Sequence, residues 1–456
     1  MRQYKKYERY KDTGVEWIGK IPEEWDLSKI KYIPKYEYKS FVDGDWIESP
    51  YITDEGIRLI QTGNIGIGSY KEQGYRYISE DTFKDLNCTE VYPNDVLICR
   101  LAGPVGRACL APSLTERMIT SVDVCILKPK DNIDRRYLVY ILSYDGYLQE
   151  ADFLARGGTR QRISRTQLGN INILLPPTDQ QKSIANFLDQ KTAEIDGLIA
   201  DKEKLIELLQ EKRQAIITET VTKGLNPNVK MKDSGIEWIG EIPEHWNVEP
   251  IKYMVKTIQT GTTPTTKNDD YFDGDIQWFT PGDFHGSKEL YEASRKISNL
   301  AVIDNEARLF PKNTVMIVGI GATVGKVAKL GVEGSFNQQI TGLIVNEQRL
   351  NCDYLYYWLY INQETIKNIS NYTTLPIINN EFVKNFECLS LPLDEQQAIV
   401  NYLNQKTSEI DDLILKIRLQ IQKLKEYRQS LISEAVTGKI DVREFQKKNE
   451  VIFRNE

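Results

Sequence analysis

The segment Gly319–Lys326 is the first part of this sequence whose residue types suggest chemistry, because glycines that precede a lysine can form a phosphate-binding loop. The spacing does not fit such a loop. Three residues separate Gly321 from Gly325 where a Walker A loop needs four, and Val327 stands where that loop needs a serine or threonine for magnesium. A dinucleotide-binding loop would need glycine at Val324. We therefore expect no nucleotide chemistry from this segment.

Other catalytic groups are also poorly supplied. The Glu-x-Lys triplet Glu37–Lys39 lacks the preceding Pro-Asp of a metal-dependent nuclease, and no Asn/Asp-Pro-Pro-aromatic motif of an amino-methyltransferase is present. The two histidines, His245 and His285, are far apart, and the six cysteines contain no Cys-x-x-Cys pair. We predict no catalytic residue, no metal site and no cofactor in this chain, which favours a binding protein.

A tandem duplication organises the chain. Residues 12–32 and 233–253 are identical at 13 of 21 positions, and residues 177–198 and 392–413 are identical at 13 of 22 positions. The segments between these anchors diverge strongly. Shared ends indicate a common scaffold and a common partner, whereas different middles indicate equivalent modules that bind different ligands.

The segments that follow Pro177 and Pro392 have the pattern of long helices. Asp179 and Asp394 can cap the first turns, and one heptad register runs through both segments. We predict two helices, each roughly 60 Å long at about 1.5 Å per residue, that pack on each other as a coiled coil. The alternative is that each amphipathic helix packs on its own domain. The predicted packing residues are Leu188, Ile195, Leu198, Leu205, Leu209, Ile216, Leu403, Ile410, Leu413, Ile417, Leu424 and Leu431.

The divergent middles mix two kinds of pattern. Strand-like runs include Asp95–Cys99 and Thr314–Val318, and helical patterns include Arg136–Leu142 and Asp353–Leu359. They occur in the same order in both halves, which predicts a common α+β fold. The predicted architecture is α+β, with two similar domains in a tandem pseudo-symmetric repeat, separated by two long antiparallel coiled-coil helices.

Each half also places a cation after a Val-Gly pair, at Arg107 in the first half and at Lys326 in the second. A turn at the end of a strand is one interpretation of this element. The other is that the turn projects a long cation from a rigid sheet toward a DNA phosphate or base edge.

Several motifs, repeated in order, resemble those of specificity subunits of type I restriction–modification enzymes. Glu16–Trp25 and Glu237–Trp246 resemble the motif that begins each module of this family. The further matching stretches are Arg58–Ile65, Gln259–Thr265, Tyr271–Trp278, Thr280–Asp283, Asn337–Ile340, Leu174–Gln181 and Leu389–Gln397. In place of Asn337–Ile340 the first half has Thr120–Asp123, which departs from the family motif. The resemblance covers nearly the whole chain.

This resemblance implies a non-catalytic DNA-reading subunit without its own cofactor. Each target-recognition domain would read one half of a split, asymmetric site in double-stranded DNA, and the helices would act as a spacer that docks two methyltransferase subunits. Those subunits would use S-adenosylmethionine to methylate adenine, and restriction subunits with ATP and Mg²⁺ would translocate and cleave DNA. The predicted boundaries are 1–176 and 225–391 for the recognition domains, 177–224 for the first helix, and 392–456 for the second helix with its tail.

Readout in the major groove needs side chains such as arginine, lysine, glutamine and asparagine. Polar loops of the two recognition domains carry them, and a solvated loop is the alternative interpretation of each. The segment Arg156–Arg162 is the richest, with three arginines beside a Gly-Gly pair. The predicted DNA-contacting residues are Gln61, Thr62, Asn64, Arg107, Arg156, Arg160, Gln161, Arg162, Thr260, Thr262, Thr263, Lys326, Gln338 and Gln339.

The formal net charge of −7 argues against a free-standing, non-specific DNA binder. It is compatible with a reader whose phosphate-binding charge is local or supplied by partner subunits. No apolar run reaches the roughly 18 residues of a membrane span, and the basic N-terminus has no apolar segment behind it, so we expect a cytoplasmic protein without a membrane partner. Two alternatives stay open: a coiled-coil scaffold that binds only protein, and a fused restriction enzyme with a cryptic active site within 33–176 or 254–391.

Overall fold

Residues 4–156, 161–370 and 377–445 are described by the computed structural model of the chain. The first of its two units comprises residues 1–202 and 419–456, and the second comprises residues 203–418. Each unit therefore contains one mixed α/β domain together with a segment of each long helix.

Short strands and helices of the first unit lead into a long helix. Its strands are β1 (Tyr10–Asp12), β2 (Lys20–Pro22), β3 (Asp26–Lys29), β4 (Phe41–Asp43), β5 (Ile57–Ile60), β6 (Tyr77–Ile78), β7 (Val96–Cys99), β8 (Ala108–Leu110), β9 (Met118–Thr120), β10 (Val124–Leu127) and β11 (Asn172–Leu175). Its helices are α1 (Glu80–Asp85), α2 (Arg135–Ile141), α3 (Asp145–Leu154), α4 (Arg165–Asn170) and the beginning of α5 (Thr178–Lys223).

The second unit repeats this order. Its strands are β12 (Met231–Asp233), β13 (Glu241–Pro243), β14 (Asn247–Pro250), β15 (Val255–Thr260), β16 (Phe272–Phe279), β17 (Glu289–Leu290), β18 (Arg295–Ile297), β19 (Val315–Val318), β20 (Val327–Leu330), β21 (Gly334–Phe336), β22 (Ile340–Val345) and β23 (Glu387–Ser390). Its helices are α6 (Asn299–Ile303), α7 (Cys352–Ile361), α8 (Gln363–Ser370), α9 (Asn380–Asn385) and the beginning of α10 (Leu393–Val436).

Two sheets form the core of each domain. Among the described residues of the first unit, one sheet has the antiparallel order β4-β10-β7-β8, and the other has the order β6-β5-β9 with β5 and β9 parallel. Leu97 and Cys99 of β7 pack in one apolar cluster with Ile60 of β5. All four residues of β7 are buried, which explains its continuous apolar sequence.

The sheets of the second unit have matching orders. One sheet is β15-β22-β19-β20-β17, and the other is β18-β16-β21 with β16 and β21 parallel. The strands and helices predicted in the divergent middles are confirmed, since β7 and β19 occupy equivalent places, as do α2 and α7. The predicted α+β fold in two similar domains is therefore confirmed.

The two long helices run antiparallel within each unit. In the first unit, Asp196 Oδ1 lies 2.9 Å from Arg428 Nε, and Lys202 Nζ donates to Gln420 Oε1 at 2.7 Å. In the second unit, Arg213 Nε lies 3.1 Å from Asp411 Oδ1. Helices α5 and α10 contain 46 and 44 residues, so each is about 65–70 Å long at about 1.5 Å per residue.

The heptad register of the helices differs from the predicted one at three of the twelve predicted packing residues. Leu188, Ile195, Leu403, Ile410, Ile417 and Leu431 are buried, and Leu209, Ile216 and Leu424 are half-buried. The prediction is wrong for Leu198, Leu205 and Leu413, which are 49%, 43% and 44% exposed. Ile199 and Ile414, the next residues along the chain, are buried instead. Because two apolar residues stand side by side at these positions, only contact with surrounding elements decides which of them turns inward.

No helix in residues 4–156, 161–370 and 377–445 is both long and apolar enough to cross a membrane.

Candidate nucleic-acid interface

Two loops of the first domain are joined by the side chain of Arg107, which is buried. Its Nε donates to Ile65 O at 2.7 Å, and its Nη2 donates to Thr62 O at 2.9 Å. Its Nη1 donates to Leu101 O at 2.9 Å and to Pro104 O at 2.8 Å. The prediction that Arg107 projects toward DNA is therefore wrong, because its guanidinium donors are directed at carbonyls of both loops.

The turn that begins at Gln61 has a second internal support. Asn64 is 2% exposed, and its Oδ1 accepts from the N–H of Gln61 at 2.8 Å. Its Nδ2 donates to Lys71 O and Gln73 O at 2.9 and 2.7 Å. The predicted DNA contact of Asn64 is wrong for the same reason as that of Arg107. The half-buried Gln61 and Thr62 lie on this turn, and their DNA contacts stay predictions.

A third segment, at Arg156 and Gln161–Arg162, is bonded to the loop that contains Leu101 and Ala102. The backbones of Arg156 and Arg162 exchange two hydrogen bonds of 3.0 Å, and the N–H of Ala102 donates to Gln161 O at 3.0 Å. Arg156, Gln161 and Arg162 are exposed. Arg160 lies outside the described residues. Three predicted cationic or amide side chains are thus exposed beside the Leu101–Pro104 loop that Arg107 holds.

An ionic network underneath this surface was missed from the sequence. The buried Arg100 lies 3.3 Å from Asp43 through Nε and donates through Nη2 to Val122 O at 2.6 Å. Asp43 also lies 3.9 Å from Arg165. Burial and the Asp43 carboxylate raise the pKa of the Cys125 thiol well above its usual range, so the thiol stays protonated and donates to Asp43 Oδ1 at 3.2 Å. Arg100 directly follows an apolar strand, but its partners are distant in sequence.

The loops of the second domain converge in a similar way. Thr260 Oγ1 donates to Asn380 Oδ1 at 2.8 Å, and Thr263 hydrogen-bonds Gln338. Thr263 and Gln338 are exposed, while Thr260 is half-buried. These residues are therefore brought together as a polar cluster, and their DNA contacts stay predictions.

Three more predicted residues of the second domain have distinct surroundings. Thr262 is half-buried, and its carbonyl accepts from Trp278 Nε1 at 3.1 Å. The half-buried Gln339 accepts from Asn337 Nδ2 at 2.9 Å. Lys326 is exposed, and its Nζ donates to Phe284 O at 3.3 Å. Lys326 thus remains a candidate for DNA contact, although Arg107 at the equivalent place is not.

Backbone hydrogen bonds define which loop residues are equivalent in the two domains. The N–H of Arg100 donates to Asp123 O at 2.8 Å, as the N–H of Gly319 donates to Gln339 O at 2.7 Å. Strand pairing, backbone hydrogen bonds and the starts of α4 and α9 show which further positions correspond. The corresponding residues of the first and second domains are Asp43 and Thr260, Asp123 and Gln339, Arg107 and Lys326, and Arg165 and Asn380.

The first-domain counterpart of the Thr260–Thr263 loop is therefore the segment Asp43–Trp46, which the sequence patterns did not single out. Gly44 and Gly261 occupy equivalent places, and a side chain at either would collide with the backbone beside it. Trp46 follows Gly44 and is 70% exposed. A solvent-exposed tryptophan beside the polar loops adds an aromatic surface to the first site.

A buried glutamine ties each long helix to its domain. Gln181 Oε1 accepts from the N–H of Asp134 at 2.9 Å, and Gln396 Oε1 accepts from the N–H of Asn351 at 2.7 Å. Asp134 and Asn351 are the N-cap residues of α2 and α7. Further links in each unit are Tyr140 to Asp189, Trp25 to Gln180, Tyr357 to Asn404 and Trp246 to Glu395. These links fix how each domain is held on its helix.

Replacing Gln396 with leucine should lower the free energy of unfolding by about 2–5 kcal/mol, because buried groups lose their partners. Its Nε2 donates to Arg349 O and Leu391 O at 2.9 Å each, and the side chain is fully buried. Urea denaturation measures the change. The exposed neighbour Gln397 provides the control, since Gln397→Leu should shift stability by only about 0.5 kcal/mol. Equal effects of the two substitutions would contradict the role given to Gln396.

Within the part of the chain that the structure describes, no group of histidine, cysteine, aspartate and glutamate side chains is arranged to hold a metal ion.

A family model and a similar protein both relate this chain to specificity subunits of type I restriction enzymes. A family model described as a type I restriction modification DNA specificity domain matches residues 23–208 and 243–423. The chain is 25% identical to the type I restriction enzyme MjaVIII specificity subunit of Methanocaldococcus jannaschii, over 97% of this chain and 98% of that protein.

Two solved structures share the fold. A chain solved in a study of complex assembly and conformational transition of the type I R-M system has a TM-score of 0.70 at 14% identity and covers 91% of this chain and 98% of its own. The HsdS subunit of Thermoanaerobacter tengcongensis has a TM-score of 0.54 at 14% identity, over 94% of this chain and 99% of its own.

Proposed function

Since the chain belongs to the type I restriction–modification DNA specificity family and is a specificity subunit of such a system, we propose that each of its two recognition domains reads one half of a split, asymmetric target in double-stranded DNA. The observation that carries the proposal is the repeated convergence of polar loops at one end of each main sheet. The loops occupy equivalent places but carry different side chains. Different side chains on a common frame are what two unlike half-sites require.

The long helices are proposed to dock two methyltransferase subunits, and the completed assembly to include restriction subunits. Apolar side chains exposed on the helices support this docking. Leucines between 43% and 58% exposed are Leu198, Leu205 and Leu208 on α5 and Leu413, Leu415 and Leu419 on α10. Exposed apolar side chains of this size, lying on helices, suit contact with helices of a partner protein. S-adenosylmethionine, ATP and Mg²⁺ would bind in the partner subunits.

The chain itself is proposed to contribute recognition without catalysis, in the cytoplasm. Chain purified to homogeneity should neither methylate nor cleave DNA when S-adenosylmethionine, ATP and Mg²⁺ are supplied. Addition of the methyltransferase subunits should restore adenine methylation at a split sequence. Methylation or cleavage that stays with the isolated chain through successive purification steps would favour a fused enzyme instead.

Exchange of one recognition domain tests whether each domain recognises its own half-site. Replacing residues 33–176 with the corresponding segment of a relative should change only one half of the bound sequence, because the second domain keeps its own loops. Sequencing of methylated sites in cells that express the hybrid with its methyltransferase partner measures this. A change in both halves, or in neither, would contradict the modular arrangement. Absence of any sequence preference, with partner assembly intact, would favour a protein-binding scaffold.

A further inference from the structure

Arg162 of the first domain and Ile377 of the second stand at equivalent positions of their sites. A single β-bridge joins Leu101 to Arg162, and the matching bridge joins Ile320 to Ile377. The residues that follow make matching bonds as well: the N–H of Ile163 donates to Arg100 O at 3.0 Å, and that of Ile378 donates to Gly319 O at 2.8 Å. A cation in one domain is therefore replaced by an apolar side chain in the other.

The guanidinium of Arg162 is held from one side by a carboxylate. Arg162 Nε lies 2.6 Å from Asp123 Oδ1, while 46% of the arginine side chain is exposed. Asp123 is in turn held near Arg100, whose Nη2 lies 4.0 Å away. A carboxylate at this distance attracts the guanidinium and keeps it near Asp123, while the exposed part of the side chain leaves donors of the guanidinium accessible to a ligand. Such donors suit the N7 and O6 acceptors of guanine.

The surroundings of Ile377 lack this ionic support. Gly319 and Gln339 stand in the places of Arg100 and Asp123, so the position has neither the buried cation nor the carboxylate. Ile377 is 50% exposed and its bridge partner Ile320 is 36% exposed. Two isoleucines exposed side by side among polar loops form a small apolar surface, which fits the C5 methyl group of thymine in the major groove.

We propose that the first recognition domain reads a guanine through Arg162, oriented by Asp123, and that the second reads a thymine at the equivalent position through Ile320 and Ile377. This inference rests on the proposed function and adds to it the base chemistry of each half-site. Because the equivalent positions carry different side chains, the two half-sites differ at this position. This difference is one source of target asymmetry.

Modified bases test the inference without altering the protein. The complex with its methyltransferase subunits is first used to select a target from DNA randomised in both half-sites. Replacing the guanine of the first half-site with 7-deazaguanine removes N7 and should weaken binding about tenfold. Replacing the thymine of the second half-site with uracil removes one methyl group and should weaken binding about fourfold.

Protein variants then assign each effect to its residue. Arg162→Ala should make binding indifferent to 7-deazaguanine, and Ile377→Ala should make it indifferent to uracil, each without changing the other half-site. Arg117→Ala is the matched control, because it removes the same charge from an exposed ion pair with Glu80 and Glu90 and should keep both sensitivities.

The outcomes separate the two proposals. Selection of no split sequence would overturn the proposed function. A split target that shows no loss with either modified base, or a loss that persists in Arg162→Ala and Ile377→Ala, would overturn the base assignment and leave the proposed function standing. The modified bases act on the unaltered complex, so the test for a loss with either base does not depend on how well a variant folds.

Discussion

Replacing Arg107 with methionine should lower the stability of the first recognition domain by more than about 3 kcal/mol and abolish recognition of the first half-site. The buried guanidinium serves carbonyls of two loops, at Thr62, Ile65, Leu101, Ala102 and Pro104. Methionine can fill much of the volume but cannot donate, so these acceptors lose their partner and the loops lose their common anchor. Recognition should fail because the loops move, although the donors of Arg107 are directed at carbonyls of the protein.

Lys326→Met is the matched control for stability in the second domain. Lys326 is exposed, and its Nζ contact with Phe284 O is 3.3 Å long, so its loss should cost only about 0.5 kcal/mol. Urea denaturation of each variant gives the stability difference, and selection from randomised DNA shows which half-site is lost. A folded Arg107→Met variant that still selects the original first half-site would contradict the anchoring role.

Lengthening both long helices by four residues should increase the preferred gap between half-sites by one or two base pairs. Four residues add about 6 Å to a helix at about 1.5 Å per residue, and a base pair rises about 3.4 Å. The insertions belong after Glu207 in α5 and after Lys416 in α10. These places leave the contacts from Asp196 to Arg428 and from Arg213 to Asp411 within their own units.

Replacement of four residues at each of the same two places, without lengthening, is the control, and it should keep the original gap. Selection from DNA with a variable gap measures the preference, and both half-sites should stay unchanged. If the lengthened chain assembles with its partners yet keeps the original gap, the spacing is set by the methyltransferase subunits and the helices are not the ruler.

The sequence was sufficient to predict the duplication, the α+β domains and the two long helices. The first repeat is visible because scaffold residues such as Trp25 and Trp246 have the same task in both halves, each donating from its indole to the start of a long helix. Helices and strands were predictable because α5 and β7 carry their patterns within short windows of the chain. The helical register was wrong at Leu198, Leu205 and Leu413, since neighbours such as Leu198 and Ile199 satisfy the same local pattern and only one of them can face the core.

Tertiary structure alone decided which polar side chains are exposed on the proposed recognition surface. Arg107 and Arg162 are both arginines in glycine-rich polar segments, yet one is buried by carbonyls and the other is exposed beside Asp123. Whether each arginine is buried or exposed depends on partners that are distant in the chain, such as Ile65 for Arg107. The residue type and its neighbours in the sequence indicate which groups a side chain can bind. Burial and long-range hydrogen bonding decide whether those donors face the protein or the solvent.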